Sequence, residues 1–136
     1  ASSEAKFGYT EVKIGFLPAI VSTFLVKQVG EKVARDLLLT GRIVDADEAL
    51  RMGLVTRVVE ADKVLDRARE LAAQLLENSP ASLLATKQLL SGYTFDELNA
   101  RIRAAVDANA RIRQTPDFEE GIASFLEKRK PEWKNH

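Results

Sequence analysis

A chain of 136 residues with 46% apolar content can bury the core of one ordinary domain. Its twenty acidic and twenty basic side chains cancel, which excludes the broad positive field that would draw nucleic acid or an anionic membrane surface. There is no cysteine and the single histidine is the last residue, so disulfides, thiolate metal sites and histidine-centred catalysis fall away; no apolar run approaches the roughly 20 residues of a membrane span, the opening ASSEAKFG lacks a targeting pattern, and a cytoplasmic setting is expected.

In chain order, residues 5–14 set Phe7, Tyr9, Val12 and Ile14 among small and charged neighbours, with Gly8 and Gly15 as punctuation. This pattern fits a short strand and a loop. From Leu17 to Leu39 the apolar residues keep a helical rhythm. Pro18 stands near its start, and Gly30 with Glu31 divides it into two helices of about 19–29 and 31–39. The first is apolar on nearly every side and calls for burial in a larger core.

Leu37 to Leu39 run into Thr40 and Gly41, a helix stop, after which residues 42–44 leave room only for a very short strand. Asp45 followed by Glu48 forms a capping box with aspartate in the first position. Gly53 closes that brief helix with Leu54 placed to fold back, and Val55, Val58 and Val59 suit a buried β segment.

Asp62 starts the next helix, whose stripe is Val64, Leu65, Ala68, Leu71, Ala72 and Leu75. Ser79 and Pro80 cap and open another that runs to Gly92. Thr94 with Glu97 forms a second capping box, before a long helix with Leu98, Ile102, Ala105, Val106, Ala110 and Ile112 on one face. Thr115 and Pro116 repeat the cap-and-proline signal, and Phe118, Ile122, Phe125 and Leu126 form the last apolar face. The chain therefore reads as mostly α-helical, with two or three short strands near its start.

Residues 5–59, AKFGYTEVKIGFLPAIVSTFLVKQVGEKVARDLLLTGRIVDADEALRMGLVTRVV, resemble the second half of the enoyl-CoA hydratase/isomerase (crotonase) family, and FEEGIASFLEKRKPEWKNH resembles that family's C-terminus. The order FG, E, G, P, LTGR, EA, GLV, VV, SP, K, EG, EKR, P spans essentially the whole chain and is far more specific than any one short motif. The resemblance implies an α/β fold, the C-terminal portion of the crotonase ββα spiral. Residues 1–62 would end the spiral core and residues 63–136 would form a helical trimerisation region. Ala1 matches a place in the middle of the family's core, so about half of the usual domain is expected to be missing on the N-terminal side.

By the same resemblance the activity is hydration of an α,β-unsaturated acyl-CoA, with no cofactor beyond the coenzyme A of the substrate and no metal. In similar proteins two backbone amides hold the thioester oxygen and stabilise the developing enolate, while glutamates handle the proton and water. The second of those glutamates lies where this chain reads Tyr9-Thr10-Glu11-Val12, making Glu11 the catalytic candidate. Its partner glutamate and both amide donors would precede Ala1. From spacing alone Glu11 reads as a solvated carboxylate at a strand end.

Relatives commonly carry P-G-x-G-G where this chain has Pro18-Ala19-Ile20-Val21-Ser22. The Ala19 amide could still face the reacting water from a helix start, while Ile20 and Val21 would reshape the acyl pocket. This variant resembles the methylglutaconyl-CoA hydratase-like branch, and a branched or carboxylated acyl group is the matching expectation; simple core repacking is the alternative.

Phe125 and Lys128 match positions that bring a ring and an ammonium to the adenine and phosphate of coenzyme A, and a helical spacing of three would put both on one side. Read without the family, the segment is an amphipathic helix end with lysines favoured by the helix dipole. Arg129 and Lys130 are expected in solvent, with Trp133 over an apolar edge. Arg101, Arg103, Arg111 and Arg113 are balanced by acidic neighbours and read as a solvated or subunit-facing surface rather than a nucleic-acid site. A homo-oligomer, trimer or dimer of trimers, follows from the family. An isomerase of the same family and a non-catalytic helical assembly module are the two competing readings.

Overall fold

The computed structural model describes residues 1–93 and 95–133. The chain runs through strand β1 (Lys6–Gly8), a 3-10 turn (Glu11–Ile14), helix α1 (Ala19–Thr40), strand β2 (Ile43–Asp45) and helix α2 (Ala46–Arg51), then α3 (Val64–Leu76), α4 (Pro80–Gly92), α5 (Phe95–Ile112) and α6 (Pro116–Leu126).

β1 and β2 pair antiparallel, with Phe7 opposite Val44. Val44 points into a core that it shares with Leu25, Ala34, Leu37, Leu38 and Ala49, and Phe7, Tyr9, Met52 and Leu54 close over it. Apolar residues from two short strands and two helices thus reach one centre, which a hairpin of three-residue strands could not stabilise alone.

Local signals place these elements. α1 carries non-helical backbone at Gly30, with φ 77 and ψ 163. An L side chain essentially never adopts this conformation, and it divides α1 where the sequence predicts two helices. Gly41 takes the left-handed position after α1 and returns its amide to the Leu37 carbonyl. The Asp45 side chain accepts from the Glu48 amide at 2.8 Å. The reciprocal half of the capping box is replaced by an ion pair, because the Glu48 carboxylate reaches Arg42 at 2.8 Å. At Gly53 the Leu54 amide donates to the Ala49 carbonyl and the Gly53 amide to Leu50, closing α2 with Leu54 folded back. Ser79 and Thr115 cap α4 and α6 with Pro80 and Pro116 just inside each helix. The proposed Thr94–Glu97 box lies outside the described residues.

Several expectations need correction. Val55, Val58 and Val59 form no strand; Val59 makes one isolated parallel bridge with Ser2, since only the segment around Ser2 runs alongside it and two hydrogen bonds hold the pair. Asp62 sits inside a 3-10 turn (Ala61–Lys63) rather than capping α3. α1 is not buried all round: Thr23, Leu25 and Leu37 face neighbours, whereas Ile20, Phe24 and Leu39 face solvent, because β1, β2, α2 and α5 cover only part of its circumference. On α5 the covered face comprises Leu98, Ile102, Ala105, Asn109 and Ile112, with Val106 and Ala110 exposed. A stripe at 3.6-residue spacing drifts towards Asn109 and away from Val106.

Candidate functional site

Glu11 opens the 3-10 turn that follows β1, and Gly15 ends that turn in left-handed backbone. The Phe16 amide donates to the Glu11 carbonyl at 2.9 Å. The Glu11 side chain is half-buried. Its Oε2 is shielded from solvent and meets no donor among the described residues, a condition that costs about 1–3 kcal/mol for a buried acceptor. Tyr9 stands nearby: burial first, and then the negative charge of Glu11, push its phenol above the ordinary value of 10.0. A carboxylate with a solvent-shielded, unsatisfied oxygen can accept a hydrogen bond from a water or a substrate proton, as general acid–base chemistry requires.

Ala19, the first residue of α1, is buried. Its amide donates to the Leu17 carbonyl at 2.7 Å and its carbonyl accepts from Ser22 Oγ at 2.6 Å. The amide therefore turns back on the chain instead of facing outward. Ala19 also lines an open groove of about 460 Å3 between α1 and α5, with Leu17, Thr23, Val26, Ala105 and Ala108. Lys27 and Glu97 tie the two helices at 2.9 Å, and Glu97 also holds Arg101 at 2.6 Å.

The two tail candidates lie at the far end of α6. Phe125 is 67% exposed. Lys128 is past the helix end, with φ 55, so the expected helical spacing between the two does not exist. The Lys128 amide donates to the Phe125 carbonyl and the Arg129 amide to that of Ser124. These bonds place Lys128 in the left-handed position that glycine usually fills at a helix end. Arg129 is not simply solvated: it forms a bidentate pair with Glu120 at 2.5 and 2.8 Å and reaches Glu127 at 2.6 Å. Glu120 further accepts from the Glu132 amide, so this clasp fixes the segment after α6.

Glu11 and α6 meet through features that do not stand out in the sequence. The turn packs directly on α6 at Gly15 and Gly121, the Phe16 and Phe118 rings lie 5.6 Å apart, and the Arg113 guanidinium sits 5.3 Å over Phe16. Gly121 and the buried Ser124 are small residues on an otherwise apolar helix face, and that is the one signal from which the contact could have been read. Among the described residues no group of three or more histidine, cysteine, aspartate or glutamate side chains could hold a metal ion, and no helix is long and apolar enough to cross a membrane.

Two strands, a divided long helix and a trailing set of amphipathic helices define the C-terminal portion of a crotonase-type fold. The enoyl-CoA hydratase/isomerase family model matches residues 1–136, and the chain belongs to that family. It is 52% identical over 128 residues to a Thermus thermophilus protein provisionally named an enoyl-CoA hydratase, covering 94% of this chain and 51% of that protein. It is 34% identical over 133 residues to the short-chain-enoyl-CoA hydratase of Clostridium acetobutylicum, covering 97% and 51%. The crystal structure of an enoyl-CoA hydratase/isomerase from Pseudoalteromonas atlantica superposes with a TM-score of 0.90 at 36% identity, over 98% of this chain and 54% of that one. The chain thus spans about half the length of the relatives it matches.

Proposed function

We propose that the chain supplies the proton-handling half of an enoyl-CoA hydratase, with the Glu11 carboxylate moving a proton to or from the acyl carbon or the attacking water. The observation that carries this reading is the Glu11 Oε2, held away from solvent with no donor among the described residues, in a chain whose relatives are named for hydration of enoyl-CoA. The amides that stabilise the enolate, and a second glutamate, would come from the sequence that corresponds to the other half of those relatives. Residues 1–62 then close the spiral core and residues 63–136 make the assembly region of a trimer or dimer of trimers.

Phe125 and Lys128 are the proposed contacts to the adenine and phosphate of coenzyme A, which enters as part of the substrate; no separate cofactor is invoked. Ala19 contributes through the wall of the α1–α5 groove, against which the acyl chain would lie. A cytoplasmic location belongs to the same proposal. Isomerisation, which needs the same carboxylate and enolate, is the alternative within the family.

The test is hydration of crotonyl-CoA followed by loss of the enoyl absorbance. The 136-residue chain alone is expected to be inactive. In the protein expressed from its complete reading frame, Glu11→Gln should lower kcat about 100- to 10,000-fold, the usual range for losing a general acid–base group. Unchanged turnover in that variant would remove Glu11 from the mechanism.

A further inference from the structure

The shielded Oε2 of Glu11 meets no donor among the described residues, so no hydrogen bond from those residues aims that oxygen. Its direction is set by the backbone of the 3-10 turn and by whatever holds that turn in place. One side of the turn lies on α6 at backbone-to-backbone distance. A Cβ built on Gly121 would fall 2.1 Å from the Ile14 carbonyl oxygen and 2.9 Å from the Gly15 nitrogen; one built on Gly15 would fall 2.2 Å from the Asp117 carbonyl oxygen. Neither contact can be relieved by turning a flexible side chain, because the opposing atoms are main chain. The contact continues through the Phe16 and Phe118 rings, and Phe16 is the residue whose amide binds the Glu11 carbonyl.

We infer that Gly121, on α6, is a positioning residue for Glu11: by letting the helix backbone touch residues 14–15, it fixes where the Glu11 carboxylate points. This inference rests on the proposed role of Glu11 and adds to it a residue distant in sequence. The same helix carries Phe125 one turn further on, so the proposed nucleotide contact and the aim of the carboxylate share one rigid element.

The mechanism predicts a particular kinetic pattern. Misplacing a reacting group by about 1 Å costs on the order of 100-fold in rate, and a displacement confined to the Glu11 turn should act on kcat rather than on substrate capture. In the protein expressed from its complete reading frame, Gly121→Ala should lower kcat about 10- to 100-fold with KM within about twofold of the parent. Phe118→Leu, which loosens the ring contact without a main-chain clash, should lower kcat a few-fold in the same way and decides the matter if Gly121→Ala does not fold. Glu119→Gln, at an exposed position of the same helix, should leave both constants unchanged.

The decisive measurement repeats Gly121→Ala and Phe118→Leu in the Glu11→Gln background. If α6 acts through Glu11, neither change lowers the residual rate further, a strongly non-additive cycle. Equal fold losses in both backgrounds would overturn the positioning role while leaving Glu11 in place. An effect on KM alone would also overturn it. A Glu11→Gln protein with full activity would instead remove the carboxylate itself, an outcome visible before either second substitution is made.

Discussion

Leu25, Leu37 and Val44 of the first region are fully buried, whereas α3 and α4, equally rich in leucine, bury no residue at all. Leu65, Leu71, Leu75, Leu84, Leu89 and Leu90 all stand open, and Leu76 is 85% exposed. An open hollow of about 610 Å3 lies on α4 beside Leu83 and Leu90, not beside Glu11. One region builds a core within the chain, while the other turns its leucines outward.

This contrast can be broken in graded ways. Leu37→Ala removes a fully buried side chain from the core and is expected to cost about 2–5 kcal/mol in chemical denaturation; a loss below about 1 kcal/mol would mean that the region is not a packed core. Leu75→Asp with Leu84→Asp should leave the denaturation midpoint of the folded subunit nearly unchanged but weaken self-association about 10- to 100-fold in sedimentation, equivalent to about 1.4–2.7 kcal/mol. An unchanged association constant would argue against these faces as the assembly surface. Asp45→Ala, which removes the α2 cap, should cost about 1 kcal/mol, and the same measurement reads it.

The smallest effect concerns the tie between α1 and α5. The hydrogen bond from Lys27, and then the charge of Arg101, hold the Glu97 carboxyl below its ordinary value of 4.5. A lowered folded value means that the ion pair stabilises fully above about pH 4.5 and that its contribution fades as pH falls through the folded value. Glu97 is exposed, so solvent screening keeps this contribution small. Glu97→Gln should slightly flatten the acid limb of the stability profile, and a curve superposable on the parent would show that the pair contributes nothing.

Punctuation was the most legible part of the sequence. Gly30, Gly41, Asp45, Gly53, Ser79 and Thr115 all act where their local chemistry implies, because a cap or a left-handed residue is decided within a few positions. The apolar stripes were placed well, but burial was not: α3 shows the expected periodicity with every leucine exposed, since periodicity reveals a face and not what covers it. Val55 to Val59 failed as a strand because pairing depends on how much of a distant segment runs alongside.

The candidate site was legible only through family resemblance. Nothing in the spacing around Glu11 distinguishes it from a solvated acid, and the contact of its turn with α6 joins Ile14 and Gly15 to Gly121, far along the chain. Lys128 shows the converse limit: its three-residue spacing from Phe125 implied a shared helix face, but the helix had already ended.

Gly30 leaves one last consequence. No atom lies within 4 Å of where its Cβ would be, so the position demands glycine for its backbone angles and not for space. The N-terminal half of α1 carries Ala19, the groove wall and Leu25 of the core, while the C-terminal half carries Ala34 and Leu37 of the same core. The break lets the two halves be aimed separately. Both halves therefore reach one core along separate axes, a fit that a single straight rod could not make.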